Sequence, residues 1–146
     1  MSVFRRVVFD TSTLVSAALR VGSTSHLALA HALATAEVCA SASALGELEQ
    51  VLLRAKFDRY QPTETRKEFA VIMRRRSSLF VVGEAEVSNV SPPCRDPKGN
   101  QFLALVEVCD ADVLISSDAD LLVHDPWNGV PILTASAFLE RSQVKP

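Results

Sequence analysis

A parallel sheet with helices on both faces is the fold class this sequence predicts, and three observations point to it. Short apolar, β-branched runs alternate along the chain with Ala/Leu-rich or charged segments of helical length. Two of the runs, "RRVVF" and "DVLIS", are hydrophobic at consecutive positions, as strands buried on both faces are. The chain has 146 residues, 48% of them hydrophobic, enough for one domain with an Ala/Val/Leu-packed core. Strands separated by helices join by right-handed crossovers, which makes the sheet parallel.

Each element follows in order. Val3 to Phe9 reads as the first strand and Leu14 to Leu19 as the helix after it. Ser25 to Ala36, "SHLALAHALATA", is an Ala/Leu helix, and Val38 to Ala40 is a brief apolar strand. Ser43 is placed to cap a helix running to about Arg54. Pro62 introduces a more charged helix from Thr63 to Arg76. Leu79 to Val82 is a strand, and "SNVSPPCRDPKGN" after it is a proline-rich loop. Asn100 to Cys109 is an apolar helix, Val113 to Ser116 a buried strand, and "HDPWNGVP" a turn-rich loop. Ile132 and Leu133 form a last strand before the helix from Ala135 to Arg141. No repeat, low-complexity stretch or linker divides the sequence, so residues 1–146 are expected to form a single domain.

Composition excludes several function classes. The net charge of −2 gives no global attraction to a polyanion, so nucleic acid must be met by a local patch. The three cysteines, Cys39, Cys94 and Cys109, are odd in number and make no CxxC pair. They argue for reduced thiols in a cytoplasm, against a disulfide framework or a zinc site. The stretch before Asp10 is too short for a signal-peptide apolar region, and no run reaches transmembrane length. A soluble, cytoplasmic protein with no membrane association is expected. A dinucleotide site would need glycines where Thr11-Ser12-Thr13 stand. An aspartyl phosphotransfer site would need a second acid at Ser12. His26 and His31 lie on the Ala/Leu helix and His124 in a loop, which does not suit a histidine-based nuclease.

The acids carry the functional signal. Asp10 follows the first strand, where open α/β sheets place ligands. Asp118 follows "VLISS", with Asp120 two residues on. Asp96 ends the proline-rich loop, and Glu47 lies one turn into the "SALGELEQVL" helix. Each has a plain alternative. Asp10 can cap the first helix, Asp96 before Pro97 can cap the next, and Asp118 can cap a turn through Leu122. Glu47 and Glu49 both flank the apolar face of their helix, and helical geometry does not choose between them. If these acids converge, pairs of carboxylates ~5 Å apart at a dielectric of ~20 repel by roughly 3 kcal/mol each. Such a pocket protonates, distorts or binds a cation. Without His or Cys it suits Mg²⁺ or Mn²⁺, ions that activate water and steady the oxyanions of a phosphodiester displacement.

Several motifs together resemble the PIN-domain ribonucleases, and in particular the branch related to toxins of toxin–antitoxin modules. "VVFDTSTLVSA" resembles the family's hydrophobic-D-[TS]-[NS] opening, and "ASASALGELEQVL" its S-x(4–5)-E-L-x-x-V-L motif, which picks Glu47 over Glu49. "CRDPKGNQFLALV" is similar to R-D-P-x-D-N-x-F-L-x-L-A, "ADVLISSDADLL" to A-D-x-L-V-[ST]-x-D-x-D-L-L, and "GVPILTASAFL" to the closing strand and helix. The resemblance implies a three-layer α/β/α fold around a central parallel sheet. It implies a metal-dependent endoribonuclease, with Asp10, Glu47, Asp96 and Asp118 as catalytic residues holding one or two Mg²⁺ or Mn²⁺ ions. Ser12 would orient Asp10 or a water, Ser116 stands where the family has Thr, and Asp120 is a further candidate for cofactor binding. Both serines can equally serve as caps.

One residue departs from the pattern. The branch carries a second aspartate in R-D-P-x-D-N, and here that residue is Gly99. An aspartate at 99 is expected to add a metal ligand. Its absence favours the rival reading, a catalytically weakened PIN-like module that binds nucleic acid or protein. Expected partners are RNA, an antitoxin protein and further copies of the chain in a homodimer or higher oligomer. Arg5, Arg6, Arg95 and Lys98 are the candidates for RNA contact, whereas Arg74-Arg75-Arg76 reads as a solvated helix end. Trp127 and the exposed side of the 63–76 helix are the candidate interface.

Overall fold

The computed structural model describes residues 3–142. Five strands form one all-parallel sheet: β1 (Arg6–Phe9), β2 (Glu37–Ser41), β3 (Ser78–Phe80), β4 (Val113–Ile115) and β5 (Ile132–Leu133), in the order β3-β2-β1-β4-β5. Among the described residues eight helices flank it: α1 (Thr11–Leu19), α2 (Thr24–Thr35), α3 (Ala42–Leu52), α4 (Thr63–Arg76), α5 (Glu84–Ser88), α6 (Asn100–Cys109), α7 (Ala119–Leu122) and α8 (Ala135–Ser142). The three-layer α/β/α architecture is the one the sequence predicts.

Consecutive apolar residues in the strands serve two cores. Val7, Phe9, Val38, Ala40, Val113 and Ile115 point to the layer of α1–α4 and α8, while Val8, Cys39 and Leu114 point to α5 and α6. Burying both faces leaves no solvent-facing position in β1 beyond Arg6, which explains the unbroken "VVF".

The differences from the expected elements have local causes. β1 begins at Arg6 rather than Val3 because Asp112 Oδ2 accepts both the Arg5 and Arg6 amides, at 2.7 and 2.9 Å, from the loop before β4. α1 begins at Thr11, three residues early, because Asp10 caps it. Ser41 rather than Ser43 caps α3, accepting the Ala44 amide at 3.1 Å. Short α5 was not foreseen, being five residues with no full helical period. Trp127, an expected interface residue, is 3% exposed and donates its indole N–H to Pro92 O at 2.9 Å, so it belongs to the core. All three cysteines are free and buried. Among the described residues no helix is long and apolar enough to cross a membrane.

Arg66 fixes the turn from α3 to α4. It is buried at 1% exposure, and its guanidinium donates to Leu52 O, Arg54 O and Gln61 O, to Thr63 Oγ1 and to the Asp58 carboxylate. Those carbonyls lie at the end of α3 and in the loop beyond it, where helical partners run out.

Candidate active site at the carboxyl edge of the sheet

From β1 the chain steps to β2 and β3, then returns to the other side of β1 for β4 and β5. The order therefore reverses between β1 and β4, and the carboxyl ends at such a switch point are the usual ligand site of these sheets. Phe9 pairs with Ile115, so Asp10 and Ser116 are the first residues beyond the ladder on either side.

Asp10 is 3% exposed, and both of its carboxylate oxygens accept hydrogen bonds. Its Oδ1 accepts the Thr13 amide at 2.9 Å and the Ser12 hydroxyl at 3.4 Å; its Oδ2 accepts the Ser116 hydroxyl at 2.5 Å. These donors and the amino end of α1 offset the cost of burying a carboxylate. Asp10 is thus the N-cap that its position allows, and the same carboxylate also reaches the neighbouring strand. Ser116, fully buried, donates to Asp10 while accepting the Asp118 amide at 2.9 Å, so one hydroxyl links the two acid-bearing loops. Ser12 Oγ and Ser117 Oγ approach to 3.5 Å across the same switch point.

Asp118 caps α7 as well, its Oδ1 accepting the Asp120 amide at 2.9 Å. Asp120 pairs through Oδ1 with the exposed Arg95 guanidinium at 3.0 Å. Asp96 caps the 3-10 turn Pro97–Gly99 through Oδ1 and the Lys98 amide at 3.1 Å. Glu47 is exposed, and its Oε2 is 3.5 Å from Gln101 Nε2, which also donates to Lys98 O at 3.3 Å. Glu49 instead lines a groove between α3 and α4 with Ala70, Val71 and Arg74. The two glutamates that helical periodicity left equivalent thus face different elements.

Two residues beside the acids carried no sequence signal. Gln101 is one. Cys94 is the other: its Sγ donates to Asp120 O at 3.3 Å and its amide to Asn100 Oδ1 at 2.7 Å. Burial pushes its thiol upward; the Asp96 backbone opposes this, and the carboxylates of Asp118, Asp120 and Asp96 reinforce it, placing those three acids within electrostatic reach of one sulfur.

Cys94 also overturns the expectation at Gly99. A Cβ there would lie 2.6 Å from Cys94 Sγ, and 3.1 Å from both Cys94 Cβ and Leu121 Cδ2. The position is buried, and an aspartate enters only if the Cys94 and Leu121 side chains shift. The candidate RNA contacts also separate. Arg6 bonds Cys109 O at 2.9 Å and Glu37 at 3.4 Å at the amino end of β1, roughly 13 Å of strand from Asp10. Arg5 lies beyond it. Arg95 and Lys98 lie on the acid-bearing edge.

The donors are all carboxylates, chemistry that fits a hard divalent ion. Asp96, Asp118 and Glu47 each engage the protein through one oxygen in the bonds above. Among the described residues, no three His, Cys, Asp or Glu side chains are grouped to hold a metal ion.

A comparison with curated proteins finds no significant relative. A family profile described as PIN domain matches residues 6–120, a span containing every acid discussed above. PIN domains are generally hydrolytic nucleases that bind nucleic acid and typically use divalent metals such as Mg²⁺. With most of its length matched and the expected three-layer sheet in place, the chain belongs to the PIN-domain family.

Proposed function

We propose that the protein is a metal-dependent endoribonuclease acting in the cytoplasm as the toxin of a toxin–antitoxin module. The observation that carries the nuclease reading is the Ser116 hydroxyl, which joins the buried Asp10 carboxylate to the Asp118 loop at the switch point of a PIN-family sheet. Asp10, Glu47, Asp96 and Asp118 would hold Mg²⁺ or Mn²⁺, and Ser12 and Asp120 would support them. Such an ion supplies an activated water and charge stabilisation for a phosphodiester displacement. The chain's own residues do the rest. Ser12 and Ser116 fix the Asp10 carboxylate, Gln101 orients Glu47, and Asp120 presents Arg95 toward a phosphate at the carboxyl edge of the sheet. The test is cleavage of a single-stranded RNA by purified protein. Cleavage requiring Mn²⁺ or Mg²⁺, stopped by EDTA and lost in Asp118→Ala, is the expected result; a wild type without metal-dependent cleavage contradicts it.

A weakened, RNA-binding module is the second reading. It is favoured by Gly99 packed beneath Cys94 and by the absence of a grouped three-ligand set among the described residues. Under it, RNA binds without being cut and added Mn²⁺ changes nothing.

A further inference from the structure

α1 and α3 both leave the carboxyl edge of the sheet and pack together, and the end of α1 meets the turn from α3 into α4. Exposed cations collect there: Arg20 just past α1, and Arg54, Lys56 and Arg59 in the turn. Tyr60, 41% exposed, stands among them, with the Arg20 and Arg59 guanidinium carbons 5.5 and 5.3 Å from its ring centroid. Helix dipoles account for Arg20 and Arg54, which follow α1 and α3, but not for Lys56, Arg59 or the exposed ring. The acids of this region are engaged elsewhere: Asp58 bonds buried Arg66, and Glu64 lies 3.8 Å from Lys67. Among the described residues none of the four cations pairs with a carboxylate. The turn is also held in place. Arg66 gathers its carbonyls, and Gln61 Nε2 donates to Leu19 O at 3.4 Å, which ties it to α1.

We infer that this turn is a second contact surface for single-stranded RNA, about 15 Å along α1 from Asp10. With a net charge of −2 the chain must meet a polyanion through a local patch, and four cations on one fixed turn supply it. The guanidiniums pair with phosphates, and Tyr60 with its stacked arginines offers a platform for a base. A duplex keeps its base faces stacked inside, so the platform selects a single strand. The surface deepens the nuclease reading, on which it rests for its ligand. The acids repel phosphate until a cation joins them, whereas the turn attracts it without metal. RNA is therefore gathered at the turn first, and a strand long enough to span α1 reaches the acids from there.

The test is fluorescence anisotropy of a labelled oligouridylate of about 20 nucleotides, in EDTA, between about 50 and 200 mM salt. Wild type is expected to bind. Arg20→Ala/Arg59→Ala should bind at least tenfold more weakly, with a log K against log salt slope smaller by roughly 1.4, two phosphate contacts of ~0.7 each. Tyr60→Leu should lose at least threefold with the slope unchanged. Arg74→Ala/Arg75→Ala removes the same charge from the other end of α4 and should stay within twofold of wild type. Circular dichroism verifies folding; if Arg20→Ala/Arg59→Ala is unfolded, Arg54→Ala/Lys56→Ala on the same turn decides. No metal-free binding by wild type, equal losses from the Arg20/Arg59 and Arg74/Arg75 variants, or a wild type that sediments with phosphatidylserine vesicles but leaves RNA unbound overturns the inference. The nuclease reading fails separately, if the protein binds oligouridylate through the turn yet cuts no RNA with Mn²⁺.

Discussion

Gly99→Ala is the substitution whose sign the packing decides. Gly99 has φ −71° and ψ −23°, an ordinary helical conformation, so alanine brings no backbone strain. On propensity alone it should stabilise the protein by up to about 1 kcal/mol. Against this stands a Cβ placed 2.6 Å from Cys94 Sγ, when ordinary contacts need roughly 3.5–4 Å. Overpacking of this kind typically costs about 1–3 kcal/mol, so the net effect is a loss of roughly 1–2 kcal/mol. For a chain of this size that lowers the melting temperature by about 2–8 °C. Cys94→Ala removes the sulfur and leaves the milder 3.1 Å contacts. The double variant should therefore be more stable than the sum of the singles by about 1 kcal/mol or more. Urea unfolding of the four proteins, followed by circular dichroism, measures the cycle. A Gly99→Ala protein that is neutral or stabilised, or a strictly additive double variant, would refute the argument.

Three further outcomes follow from the same bonds. Asp10→Asn keeps the cap on Thr13 but turns an N–H toward Ser116, leaving that hydroxyl's proton without an acceptor; urea unfolding should show a loss of about 1–3 kcal/mol. Arg66→Met leaves exposed Asp58 solvated but strips the carbonyls of the α3–α4 turn of their donor, for a loss of about 1–3 kcal/mol by the same measurement. With its thiol raised by burial, Cys94 forms little thiolate at pH 8, so mass-resolved iodoacetamide labelling should reach it only after unfolding.

The sequence was most informative where an element's cause lies inside it. α4, α6 and β5 fall at the expected residues because Pro62, the arginine run and the apolar stretches are local signals. Where the cause is distant, local reading fails. The start of β1 is set by Asp112, and the buried state of Arg66 by carbonyls up to fourteen residues away, though a charged helix suggests only a solvated arginine. The site divides the same way. Strand-end position pointed to Asp10 and Asp118 and the motif to Ser116, but the bond by which Ser116 links the two acids requires the pairing of β1 with β4. Gly99 looked like a missing ligand because its motif does not reveal that Cys94 occupies the space above it.

The nuclease reading requires the acids at the carboxyl edge to act as one divalent-ion site. Calorimetric titration of Mn²⁺ into wild type, Asp118→Asn, Glu47→Gln and Glu49→Gln tests it most directly. Saturable binding in wild type and Glu49→Gln, lost or weakened at least tenfold in Asp118→Asn and Glu47→Gln, is the predicted result. No binding by wild type, or equal binding by all four proteins, contradicts it.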